Sequence, residues 1–186
     1  SKKLKVSDLK LISKINLKKA EYVTESLKIR KYVPNFDNKI TFLEHKININ
    51  LEKKILLEGL GSFQVGEKKD DIKYNFEFNK QNVKFDLNLD ITETPFKIDL
   101  INFMKEENEV INFRIIGEKK DEKISLREIN IKKNNDIISL NEINFSNNFQ
   151  VTNFKKINLK YFDTNKNKND ISIVQNTKNN FLIEGK

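Results

Sequence analysis

From about residue 47 onward the chain alternates apolar and polar residues. "KYNFEF" (Tyr74, Phe76, Phe78), "VKFDLNL" (Val83, Phe85, Leu87, Leu89) and "VINFRI" (Ile111, Phe113, Ile115) each place every second side chain on one side. Period two marks half-buried strands, because successive side chains leave a strand on opposite faces. Short polar breaks separate these segments: "EKK", "GEKKDD", "NKQN", "KEEN", "EKKDE", "KNN", "SNN" and "DTNKNKN". They are of hairpin length and rich in Asn, Asp, Lys and Gly, which suit turns. Strands joined so tightly pair antiparallel. The pattern predicts a mostly β chain, a long up-and-down meander of about eleven strands.

Within the meander one phrase recurs. "ISLREINI" at 124–131 returns as "ISLNEINF" at 138–145, with six of the eight positions identical. Further steps of fourteen reach "TNFKKINL" (Phe154, Ile157, Leu159) and "KNKNDISI" (Ile171, Ile173), and "FKIDLINF" (96–103) fits the same template. Each unit is apolar at its first, third, sixth and eighth positions, and its length is that of one strand plus a turn. The third and sixth positions differ in parity, so Leu126 and Ile129 would face opposite sides of an unbroken strand. Either the strand is buried on both sides in turn, or a bulge at Arg127–Glu128 returns both pairs to one face. A bulge repeated at one height would crease the sheet into an open U-shaped groove with an apolar inside. A parallel β-solenoid is the competing repeat architecture, although the chain lacks the small residues that tight corners favour.

The first 46 residues belong to the same domain as the meander at 47–186, but their pattern is less regular. "LKVSDLKL" (4–11) has the spacing of a strand, and 17–33 is also read as strand. In "NFDNKITFLEHKI" (35–47), Phe36, Ile40, Leu43 and Ile47 recur at helical spacing behind Asn35 and Asp37 as possible caps. That stretch is the one candidate helix, with His45 expected on its surface.

Composition narrows the chemistry. There is no Cys and a single His, His45. Disulfides, thiolate metal sites, Cys nucleophiles and His-based triads are thereby excluded. "GLGSFQVGEK" (59–68) has phosphate-loop spacing, but Glu67 stands where the lysine is needed and no Ser or Thr follows. Phe63 and Val65 alternate as in a strand, with Gly59 and Gly61 as bulge or crease positions. Acidic residues fall in turns or on polar parities, so no carboxylate pair stands out. No enzyme, cofactor or metal is expected.

The net charge is +8, with 35 Lys and Arg against 27 Asp and Glu. The lysines are dispersed through turns and polar faces, while Phe76, Phe78, Phe85 and Phe113 hold the apolar parity. Nucleic-acid binding needs cations and stacking rings on one surface, so no nucleic acid is expected. No apolar run approaches the roughly 20 residues that span a bilayer. Any targeting segment or membrane anchor would lie outside this chain.

About eleven strands make a sheet on the order of 50 Å wide whose apolar face must be covered. The strings "KISLREINIKKNNDIISLNEINFSNN" and "LKVSDLKL" resemble the AsmA-like superfamily of envelope proteins (the AsmA, TamB and YhdP type), and "NNFLIEGK" is similar to a strand that leads into a further segment of such proteins. The resemblance implies an internal β-repeat segment of a periplasmic protein anchored in the inner membrane. Its groove would carry phospholipid between membranes in outer-membrane biogenesis, with flanking β-repeats and membrane contact supplied by other regions. The groove would be lined by Phe85, Leu87, Phe96, Ile98, Ile101, Phe103, Phe113, Ile115, Leu126, Ile129, Leu140, Ile143, Phe154 and Ile157. The alternative is a structural or adhesive β-repeat domain with a self-packed core and a protein-binding role.

Overall fold

A computed structural model describes residues 10–24, 29–34, 36–121, 123–145, 151–177 and 180–185. The strands are β1 (Leu11–Val23), β2 (Lys39–Leu51), β3 (Ile55–Val65), β4 (Lys68–Asn79), β5 (Asn82–Ile91), β6 (Phe96–Ile98) and β7 (Phe103–Lys105). They continue with β8 (Ile111–Lys120), β9 (Lys123–Lys133), β10 (Asp136–Phe145), β11 (Val151–Asn153), β12 (Lys156–Phe162), β13 (Lys168–Thr177) and β14 (Asn180–Gly185). Twelve of them form one antiparallel sheet in the order β1-β2-β3-β4-β5-β8-β9-β10-β12-β13-β14, with β11 also on β10. The sheet is an open, curled meander, with β1 and β14 as its edges rather than partners in a barrel. β6 and β7 pair only with each other, in a small second sheet. The segment "LKVSDLKL" falls mostly outside the described residues.

The turns follow from the polar breaks. Val65 pairs with Lys68 across Gly66–Glu67, Asn79 with Asn82 across Lys80–Gln81, and Lys133 with Asp136 across Asn134–Asn135. The first residue of each turn has positive φ: Gly66 (60°), Lys80 (51°) and Asn134 (53°). Two-residue hairpin turns demand this, since their twist must match that of the strands. The phosphate-loop spacing at 59–68 is therefore the end of one strand and a hairpin.

The predicted helix at 35–47 is instead β2, and the only helical turns described are single 3-10 turns at Ile29–Lys31 and Asp99–Ile101. The apparent helical spacing arises from a bulge. Leu43 pairs with Ser62 and Lys46 with Leu60, so β2 spends one extra residue opposite Gly61, with Glu44 in the left-handed region (φ 55°). An inserted residue stretches a period of two to three, which mimics a helix.

The repeat carries the crease that its parity demands. Ile115 pairs with Ile129 and Gly117 with Leu126, so β9 holds one more residue than β8 at Arg127. In β10 the pairs Leu140–Ile129 and Ile143–Leu126 place Glu142 opposite Arg127, and Glu142 has φ 51°. The irregularity continues into β12 and β13. Phe154 and Lys155 interrupt the line from β11 to β12, and the register of β13 on β14 shifts between Gln175 and Thr177. Lys155 spans this line, its amine 2.6 Å from Glu142 and its carbonyl receiving the Gln175 amide. Strands β3 to β5 run through without a shift. The crease thus runs from β8 towards β14, and the bulge of β2 at Glu44 stands apart from it, opposite Gly61.

Deleting Arg127 would bring Leu126 and Ile129 into one parity against β8 but leave β10 one residue in excess at Glu142, so it should cost more stability than Arg127→Ala, which keeps the residue count and both registers. Arg127→Ala is expected to fall within about 0.5 kcal/mol of wild type in a urea titration. Equal midpoints for the two variants would refute the bulge as the device that sets register.

Candidate functional site

Register aligns the apolar residues in rows that cross the strands. The longest runs Ile15–Ile47–Gly59–Tyr74–Leu87–Ile115–Ile129–Leu140–Ile157–Ile173–Ile183, one residue from each of eleven neighbouring strands. A second row holds Ile72, Leu89, Phe113, Ile131, Ile138, Leu159 and Ile171. A third, on the other flank, holds Leu57, Phe76, Phe85, Gly117, Leu126 and Ile143. All three share a face.

The expected groove residues divide accordingly. Phe85, Leu87, Phe113, Ile115, Leu126, Ile129, Leu140, Ile143 and Ile157 lie in these rows on one face. Phe154 stacks on Phe181, with ring centres 5.8 Å apart, near the β14 edge. Phe96, Ile98, Ile101 and Phe103 are not wall of the sheet. They belong to an insertion, residues 92–110, that packs onto it. There "FKIDLINF" is broken by the 3-10 turn Asp99–Ile101 and by Asn102 in the left-handed region (φ 51°). The turn gathers all four apolar residues to one side, as the bulge does in β9 and β10.

The glycines of β3 serve the same face. A side chain at Gly59 would meet the Tyr74 ring at 2.3 Å, and one at Gly61 the His45 ring at 2.5 Å. His45 is 2% exposed rather than on the surface. Its Nε2 lies 3.0 Å from the Ser62 carbonyl and its Nδ1 2.9 Å from the Tyr74 hydroxyl. A carbonyl only accepts, so Nε2 donates to it and Nδ1 accepts from the tyrosine. Burial of Tyr74 also holds its phenol above the usual range. The bare backbone of β3 is the floor on which these two rings lie.

Two buried charges fix the insertion. Asp70, in β4, accepts from the amides of Thr92 (2.6 Å) and Glu93 (2.8 Å) at Oδ1 and of Thr94 (3.0 Å) at Oδ2. Lys105, in β7, is fully buried and donates to the carbonyls of Thr92 (2.7 Å), Thr94 (3.0 Å) and Glu106 (2.9 Å). The carboxylate thus gathers the donors and the amine the acceptors of one short loop. Burial pushes the Lys105 amine below its ordinary range, against the opposing pull of Asp70 and Glu109. Sequence reasoning missed both groups. Asp70 was counted among turn charges, but Lys105 shares the parity of buried Phe103, and a lysine in apolar phase is a readable signal.

The opposite face is polar and laced across strands. Arg114 grips Asp86 with two bonds (3.1 and 2.8 Å), and that hydrogen bonding holds the Asp86 carboxyl below its usual range. Asn112 bridges Asn88 and Asp90, and Asn158 joins Ser139 and Ser172. Lys73, Asp86, Arg114, Glu128 and Lys132 line a depression of about 380 Å³ here, and Glu58, Glu77, Lys84, Ile116 and Arg127 line another of about 600 Å³. The Arg114 cation stands on the face away from the Phe85 and Phe113 rings, whereas Lys133 lies over the Phe103 ring, 5.8 Å from its centre. Among the described residues no cluster of three or more His, Asp or Glu is placed to hold a metal. No protein-family model, curated protein or solved structure matches this chain.

Asp70→Ala leaves three amides without their acceptor and should cost on the order of 3 kcal/mol in a denaturant titration. The lowered Lys105 amine means that the unfolded chain binds this proton more tightly. Its contribution therefore makes the fold gain stability as pH rises from the lowered value to the ordinary lysine range. Lys105→Met should remove that rise, measured as the wild-type-minus-variant difference across alkaline pH; an unchanged difference would refute it.

Proposed function

We propose that this chain is a non-enzymatic, lipid-conducting segment whose apolar β-face holds phospholipid acyl chains and passes them along the sheet. The observation that carries this reading is the unbroken apolar row from Ile15 in β1 to Ile183 in β14, open at both edges. Spread over eleven strands, it measures roughly 48 Å. Its central members, Leu87, Ile115 and Ile129, are half-buried, flanked by neighbours in the sheet but not sealed from above. A surface of this kind suits a ligand that is apolar, elongated and without directional demands, which describes an acyl chain. The resemblance to AsmA-like envelope proteins points the same way, to a periplasmic segment anchored to the inner membrane elsewhere, with flanking β-repeats as partners.

One observation favours the second reading, a structural or adhesive β-domain with a dry core. Phe103 of the insertion and Ile111 of β8, 2% and 0% exposed, lie in a sealed cluster between the insertion and the sheet. That cluster covers part of the apolar face, not the central row.

Lipid extracted from the purified domain and identified by mass spectrometry, together with uptake of a fluorescent fatty-acid probe, tests the choice. The lipid reading expects both, and expects Ile115→Glu to weaken probe binding about tenfold or more, since one charge in an apolar site exceeds 1.4 kcal/mol. Neither co-purified lipid nor probe uptake would leave the structural domain as the answer.

A further inference from the structure

We infer that the insertion at 92–110 is a fixed end wall, which confines a bound acyl chain to the lower apolar rows and sets its direction across the strands. This rests on the lipid reading above. Ile91 and Ile111 pair directly, so β5 and β8 would be neighbours without the residues between them. The insertion is an addition to a sheet that already closes at that rung, and its placement says what it adds.

It lies across the sheet at one height. At one end the Lys97 amide donates to the Tyr32 carbonyl (2.8 Å), and the Tyr32 and Phe96 rings stack at 6.3 Å. In the middle Phe96 covers Phe113, with centres 6.0 Å apart. At the far end Phe103 meets Tyr161 edge-on (5.9 Å), the Tyr161 hydroxyl donates to the Ile101 carbonyl (2.5 Å), and the Thr164 amide donates to the Asn102 carbonyl (3.1 Å). Its base is pinned by Asp70 and Lys105. It is therefore anchored at both ends and at the root, as a wall is and a loose flap is not.

Burial is deepest under its far half, where Ile131, Ile138 and Leu159 are buried, whereas Leu89 and Phe113 in the same row, like Ile129 and Leu140 one apolar row away, are half-buried. A chain on this face cannot extend along the strands past the wall. It can extend across them, along Tyr74, Leu87, Ile115 and Ile129 with Phe85 and Leu126 beside it. From β4 to β13 that track is roughly 29 Å long. One leaflet of a bilayer, half of its hydrocarbon core, holds a chain of about 15 Å. A whole chain fits lengthwise on the track, parallel to the hydrogen bonds of the sheet.

The chain contains no Trp, so a single introduced one reports its own surroundings. Phe85→Trp places the reporter on the track and Phe113→Trp places it under the wall. Each variant is mixed with vesicles of phosphatidylglycerol and dibrominated phosphatidylethanolamine, whose bromines quench indole emission on contact. The expected result is loss of most emission for Phe85→Trp and none for Phe113→Trp. Adding Phe96→Ala to Phe113→Trp removes the ring above the reporter and should make it quenchable, without deleting the insertion. Equal quenching of Phe85→Trp and Phe113→Trp would overturn the wall while leaving the lipid reading intact. Persistent protection of Phe113→Trp after Phe96→Ala would also overturn it. Quenching of neither single variant would instead remove the lipid reading, and the wall's proposed role with it.

Discussion

Parity is the constraint on which this structure depends. A strand shows alternate residues to opposite faces, so a sheet keeps one apolar side only if every strand stays in phase with its neighbours. The repeated units violate that alternation between their third and sixth positions, and the chain compensates with one extra residue. Arg127 and Glu142, set opposite each other in β9 and β10, absorb the mismatch and keep Leu126 beside Ile129 and Ile143 beside Leu140 on one face. From that correction follow the continuous rows and the crease.

Much of this was legible in the chain. The alternating segments became strands, the polar breaks became hairpins, and the gap between Leu126 and Ile129 marked the bulge. The N-terminal quarter was misleading for the same physical reason that the repeat was informative. The extra residue at Glu44 stretched the apolar spacing of β2 into the likeness of a helix, where no repetition exposed the deviation. His45 is buried because Gly59 and Gly61, two strand positions without side chains, leave room above the backbone for two rings. A sequence shows the glycines but not which neighbour's ring lies over them. Nor does it show that the phrase at 96–103 leaves the sheet, since a turn and a bulge gather the same four positions equally well.

The two faces are stabilised by different means. The apolar side gains from area removed from water, most completely under the insertion. The polar side relies on many weak cross-strand pairs, and exposed ion pairs such as Lys54–Glu77 or Lys155–Glu142 contribute little singly. Asp70 and Lys105 differ in kind. Both are buried, and each satisfies three backbone groups, so their worth lies in fixing one conformation of one loop rather than in mutual attraction.

The bond from Tyr161 to Ile101 joins residues sixty positions apart, and the bonds from Lys97 to Tyr32 and from Thr164 to Asn102 span still more, in a molecule whose sheet is built from neighbouring hairpins. Hairpins close short loops and form early, whereas a contact of long separation must wait for the chain between its ends to order. The insertion can reach its seat only after β8, β9, β10 and β12 have been laid down beside β5. Docking of the insertion is therefore the contact of greatest loop-closure cost in the fold, and wherever it is undocked Ile111, Ile131 and Ile138 lose their cover.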